Sequence, residues 1–406
     1  MTDPGQSPAI RGTVNALLGR LAPMSARDTN ESHRVSTPLE LLFDLCFVVA
    51  VSEAARELNA DLSAHHISSG IVGYLMVFFA IWWAWVNFTW FASAYDVDDV
   101  PYRIITFVQI VGVLILAAGV PVAFNQGSFA TITIGYVVMR VAMVTQWLRA
   151  AAGDPPRRPA ALRYAAAISI LQIGWVLRLF LPHEAAEVAF YVLAAAEMAV
   201  PAWAERGGRG SPWHPEHIAE RYGLFTLIVL GECVSAATLA IQAASSSHGL
   251  SAALIGVATG GVLLVFALWW WYFEHPAEHA LRMSRQLAFV WGYGHYGVFA
   301  ALAALGAGLG VAAEASRHSG GLGQVAGLTV AISVSVFLVT TGLLEVRLNS
   351  QTSFRVAYVA PFVIVLIVLG AGAGSFGIGV AVTLMGVVVT ALVVLESRLR
   401  HRGLNR

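Results

Sequence analysis

Two phrases decide how this chain folds. The first is Pro38-Leu39-Glu40-Leu41-Leu42-Phe43-Asp44-Leu45-Cys46-Phe47-Val48-Val49, followed by Glu53. The second is His217-Ile218-Ala219-Glu220-Arg221-Tyr222-Gly223-Leu224-Phe225-Thr226-Leu227-Ile228-Val229-Leu230-Gly231-Glu232. Each opens an apolar helix with a carboxylate and sets another about three turns further in. A carboxylate at membrane depth is expensive, so these helices are the first place to look for function.

The rest of the chain supplies the membrane. Of 406 residues, 57% are hydrophobic and 12% charged, against roughly 25% charged in soluble domains. Mean hydropathy is +0.70. Apolar runs recur at the length of about 20 residues that crosses a bilayer, and they are continuous, which excludes an alternating β-barrel pattern. The expected class is an all-α polytopic membrane protein whose first partner is the lipid bilayer. All 24 basic residues are arginine and the formal charge is zero, which argues against nucleic-acid binding. Cys46 and Cys233 fall inside spans and read as packing residues. No motif calls for a cofactor.

Breakers and hydropathy give about twelve transmembrane helices. The expected spans are 38–59, 67–91, 102–124, 128–148, 162–181 and 184–203, then 218–243, 250–273, 286–311, 322–344, 354–371 and 376–395. The last division is placed at the glycine-rich junction Gly370–Gly374, since one span across it would be too long. With the N-terminus inside, twenty arginines fall on the even connections and the termini, against Arg56 and Arg317 on the other side. By the positive-inside rule both termini are cytoplasmic, in a bacterial inner membrane. Residues 1–37 are polar, with no short apolar core and cleavage site, and read as a disordered cytoplasmic tail.

The two halves look alike. Glu40 and Glu220 are 180 positions apart, and Trp82-Trp83-Ala84-Trp85 and Trp269-Trp270-Trp271-Tyr272 follow at a similar shift, each read as ending a span. A charged cluster comes next in both halves (Asp96, Asp98, Asp99, Arg103; then Glu274, His275, Glu278, His279, Arg282, Arg285). This predicts six-helix repeats over 38–205 and 206–397, with a basic cytoplasmic tail at 398–406. Six is even, so the repeats enter the membrane the same way, related by an axis along its normal.

The two phrases resemble those of the bacterial low temperature requirement A family, with a likeness covering about residues 35–395. The resemblance implies a multi-pass membrane protein linked to growth in the cold. It brings no catalytic residues with it. Cys233 stands where a small polar residue such as serine is expected after Gly231-Glu232.

Several residues could carry chemistry. His217, Arg221 and Glu232 share a broad face of the seventh span, with Glu232 near mid-membrane as a binding or relay carboxylate. A structural pair is the competing reading of Glu232, with Arg221 snorkelling to the interface. On the first span Glu40, like Glu220, reads as a helix-start device favoured by the macrodipole, whereas Asp44 lies deeper. Glu53 points away from Asp44 by about half a revolution. Arg140, Arg178 and Glu197 are the other ionisable groups at depth; an Asp44–Arg140 or Glu232–Arg178 pair would neutralise both members, and the sequence does not choose. His275-Pro276-Ala277-Glu278-His279 fits an H-x-x-E-H metal pattern, but a solvated polar turn is the better reading. Neither oligomeric state nor substrate is legible. The expected function is movement of a small solute or ion using protonatable Asp44 and Glu232. A non-transporting stress or scaffold protein, or a metal-dependent membrane enzyme, are the alternatives.

Overall fold

The computed structural model describes residues 23–28, 35–274, 277, 281–282, 284–317, 321–348 and 354–403. Its described residues are all-helical, with no strand, and twelve long helices carry the fold. They are α1 Pro38–Ser63, α2 Ile67–Ala94, α3 Val100–Gln126, α4 Ala130–Gly153, α5 Arg158–Arg178 and α6 His183–Ala204. Then follow α7 Pro215–His248, α8 Ala252–Phe273, α9 Arg285–Ala315, α10 Leu322–Leu348, α11 Phe354–Phe376 and α12 Ile378–Gly403.

The starts of the two phrases are built from local chemistry. Thr37 caps α1: its hydroxyl accepts from the Glu40 N–H (3.3 Å), and the Glu40 carboxylate accepts from the Thr37 N–H (2.7 Å). Pro38 follows at the first helical position, where its missing N–H costs nothing. α7 opens the same way with Pro215, capped by the His214 ring. α3 is capped by Asp99, which also binds Arg149 at 2.7 Å. In the same connection, exposed Asp98 takes a positive φ of 45° and accepts twice from Arg103. That hydrogen-bonded guanidinium holds the Asp98 carboxyl below the usual carboxylate range.

Among the described residues, eleven helices are long and apolar enough to cross a membrane. α1 is the twelfth and differs, because it carries Glu40, Asp44, Glu53, Arg56, Glu57 and Asp61. Its surroundings explain how so polar a helix sits among apolar ones: it packs on α2, α3, α7 and α9 and buries Glu40, Asp44 and Glu57 there, while Leu42, Leu45 and Val49 lie on its exposed face. α9 is the most enclosed of the eleven, while α5, α6, α7 and α11 leave most of their span residues unburied.

Two sequence readings are corrected. Trp82-Trp83-Ala84-Trp85 does not end a span, because α2 runs on to Ala94 and all three indoles are buried at 0–1% exposure. They are interior residues rather than an interfacial belt. The second run is different again: Trp271 is buried and donates to Thr341 (2.8 Å), whereas Trp269 and Trp270 are half exposed. The break between the last two helices falls at Gly377, with φ +99°, and not at Gly370–Gly374. The earlier glycines stay helical because an unpaired backbone is costlier in lipid than a glycine in a helix. Gly370 instead gives α11 its close approach to Gly327 of α10.

Small residues set several helix spacings, as expected where lipid supplies no hydrophobic drive between helices. α8 and α12 meet through Gly256 and Gly260 against Gly379 and Gly386, and a Cβ on Gly260 would lie 2.4 Å from Val382 backbone. Gly260→Ala must therefore part the helices, and should cost about 1–3 kcal/mol as overpacking does. Thermal unfolding in detergent checks this, with Gly231→Ala as the neutral control, since nothing lies within 4 Å of its added Cβ.

Candidate functional site

The two phrases meet. α1 and α7 bring Glu40 and Asp44 against His217 and Arg221 in one cluster whose four side chains are at most 1% exposed. Arg221 bridges the carboxylates, 2.5 Å from Asp44 Oδ1 and 3.2 Å from Glu40 Oε1. His217 Nε2 lies 3.2 Å from Glu40. α2 supplies the rest: the Trp85 indole N–H donates to Asp44 (2.7 Å), Thr89 Oγ1 lies 3.5 Å from the Arg221 guanidinium, and the Phe88 ring is 5.8 Å from it. Residues 40 and 44 are one helical turn apart, as are 217 and 221, so each helix offers one polar stripe to the other. The charge count is the chemical point. Among the described residues two carboxylates face one guanidinium, leaving one excess negative charge while His217 is neutral. In a buried site such an excess is costly, and a proton or a cation relieves it.

A second buried cluster is structural in character. Glu197 of α6 accepts from Trp83 (2.8 Å), Tyr136 (3.2 Å), Arg140 (3.1 Å), Trp175 (3.2 Å) and Gln172 (3.4 Å). One carboxylate thus ties α2, α4, α5 and α6 together, with Arg140 matching its charge and contacting Tyr136. Neither of the pairs weighed from sequence forms here: Asp44 meets Arg221, and Arg140 meets Glu197. Arg178 instead donates to the Ala186 carbonyl (2.7 Å) and lies over the Phe129 and Phe190 rings.

The remaining candidates are spread along α1 and α7. Glu232 is half buried and accepts from the Ser52 hydroxyl of α1 at 2.5 Å. Glu220 accepts from the Ser36 N–H at 3.2 Å. Glu53 pairs with exposed Arg56, which also reaches Glu57 at 3.1 Å. His275, Glu278 and His279 lie outside the described residues.

Trp85, Thr89 and the Glu197 donors other than Arg140 are missing from the sequence reading of the sites. A usable signal was present: an indole N–H inside an apolar span needs an acceptor, and two of the three clustered tryptophans find a carboxylate.

Residues 35–395 match the family described as bacterial low temperature requirement A protein (LtrA). The chain is also similar to an uncharacterized protein of Rhizobium meliloti (strain 1021), at 27% identity over 286 residues, covering 66% of this chain and 67% of that protein. No solved structure matches significantly.

Proposed function

Because the chain belongs to the bacterial low temperature requirement A family, and is a multi-pass membrane protein, we propose that it moves a small ion or solute by protonation of buried carboxylates on α1 and α7. The observation that carries this reading is the excess carboxylate in the Glu40–Asp44–His217–Arg221 cluster. With a proton on Asp44 the cluster balances; without it, α1 and α7 hold an unmatched charge. Loading and unloading the cluster therefore alters the bond between the two helices that the transported species must pass.

The polar groups of α1 continue from there. Ser52 with Glu232 forms a second station, and Glu53 and Glu57 a third. Eight residues separate Asp44 from Ser52, about 12 Å of helix, a stretch for water or the moved species to bridge. Arginine placement supports cytoplasmic termini in a bacterial inner membrane, an orientation in which the first cluster faces the cytoplasm.

Two parallel six-helix units fit the packing order. The contacts α1–α2, α1–α3, α3–α4, α4–α5 and α5–α6 recur as α7–α8, α7–α9, α9–α10, α10–α11 and α11–α12. In this arrangement α1 and α7 are equivalent first helices, which is why transport is assigned to their seam.

Reconstituted vesicles test the reading. A pH-sensitive dye inside them should report flux for the native chain, and Glu232→Gln should reduce flux while leaving thermal unfolding unchanged. Native flux in a folded Glu232→Gln variant would remove Glu232 from the path.

A further inference from the structure

On the face of the membrane that carries the termini, arginines repeatedly meet a carboxylate. Arg27 pairs with Asp96, Arg103 with Asp98 and Arg149 with Asp99. Four others break the pattern at one corner, where α5 begins and α6 ends. Among the described residues, Arg158, Arg163, Arg206 and Arg209 have no carboxylate within 4.0 Å. The acids beside them are taken: Asp154 binds Arg157 (3.1 Å), and Glu205 binds Arg285 (2.9 Å).

Backbone oxygens hold two of the four. Arg158 Nε donates to the Ala151 carbonyl (2.8 Å). Arg163 donates to the Arg206 (2.6 Å) and Ala204 (3.3 Å) carbonyls at the end of α6, a place that favours a cation. A carbonyl fixes a guanidinium without cancelling its charge. Arg206 and Arg209 are exposed, so the corner presents unmatched positive charge at its surface. Just inside it the surface turns apolar. Leu162 on α5 and Trp203 on α6 are 45% and 46% exposed, and Ile170 and Val192 stay exposed further along. A tryptophan so placed marks the headgroup level. A partner that suits both parts is anionic at one end and apolar for the rest of its length. We infer that the α5–α6 corner binds an anionic phospholipid, its phosphate taken by these arginines and its acyl chains lying on the exposed apolar faces of the two helices. The site stands apart from the α1–α7 seam and does not rest on transport.

Dioleoylphosphatidylglycerol added to the detergent-solubilised protein is the probe, read by the rise in unfolding temperature. The native rise should saturate, while dioleoylphosphatidylcholine and sodium phosphate at matched concentration should give none. Arg206→Gln/Arg209→Gln should raise the half-saturating lipid concentration about thirtyfold, the combined effect of two arginines beside an anionic headgroup. Arg347→Gln/Arg398→Gln, which removes two exposed arginines from other helices, should keep the native value. An equal rise with phosphatidylcholine would overturn the inference. So would an equal rise with sodium phosphate, since the corner would then be a site for free anions. Half-saturation that is unchanged in Arg206→Gln/Arg209→Gln, or raised as much in the control pair, would overturn it as well.

Discussion

Arg221→Gln is expected to remove most of the folded protein. Its guanidinium bridges Glu40 and Asp44, both at most 1% exposed. Deleting one member of a buried charge set costs about 3–5 kcal/mol, because the carboxylates left behind cannot return to water. That is a large part of the 5–15 kcal/mol that typically separates folded from unfolded protein. Size-exclusion profiles and thermal unfolding in detergent should both show the loss. Neutralising the carboxylates as well, in Glu40→Gln/Asp44→Asn/Arg221→Gln, should recover the fold, since an asparagine carbonyl still accepts from Trp85. A single variant as stable as the native chain would mean that water reaches the cluster and the charge is not trapped.

Glu197→Leu should be about as damaging, for a different reason. It strands Arg140 and also takes the acceptor from Trp83, Tyr136 and Trp175. Each buried donor without a partner costs about 1–3 kcal/mol. Adding Arg140→Met removes the stranded charge but not the stranded indoles and phenol, so this double variant should remain well below native stability, unlike the neutralised Arg221 triple. Recovery in Arg140→Met/Glu197→Leu, by the same unfolding measurement, would show that the donors find other acceptors. The contrast separates the clusters: one carries an excess charge that protonation can relieve, while in the other Arg140 balances Glu197.

Much of this was legible in the sequence. Apolar runs of span length gave twelve helices, and the caps Thr37–Pro38 and His214–Pro215 explain why the first and seventh begin where they do. The phrases also contained all four members of the central cluster. What could not be read was who meets whom. Spacing places Glu40 with Asp44 and His217 with Arg221 on single faces, but only packing brings one face against the other. Glu40 illustrates the gap: its place in the first turn suits a helix-start device, and it fills that role with Thr37 while also binding Arg221 and His217 across the helix seam. The tryptophans misled because an aromatic run near the expected end of a span looks like an interfacial belt. Their helix is three residues longer than expected, and two of the three indoles donate to buried carboxylates.

Proton flux through vesicles containing Asp44→Asn tests the central claim most directly. Asparagine keeps the Trp85 bond and the shape of the site but cannot carry the proton, and it leaves Glu40 to balance Arg221. The folded variant should therefore show flux no greater than empty vesicles, beside native protein that acidifies the lumen. Native flux through folded Asp44→Asn would contradict the account.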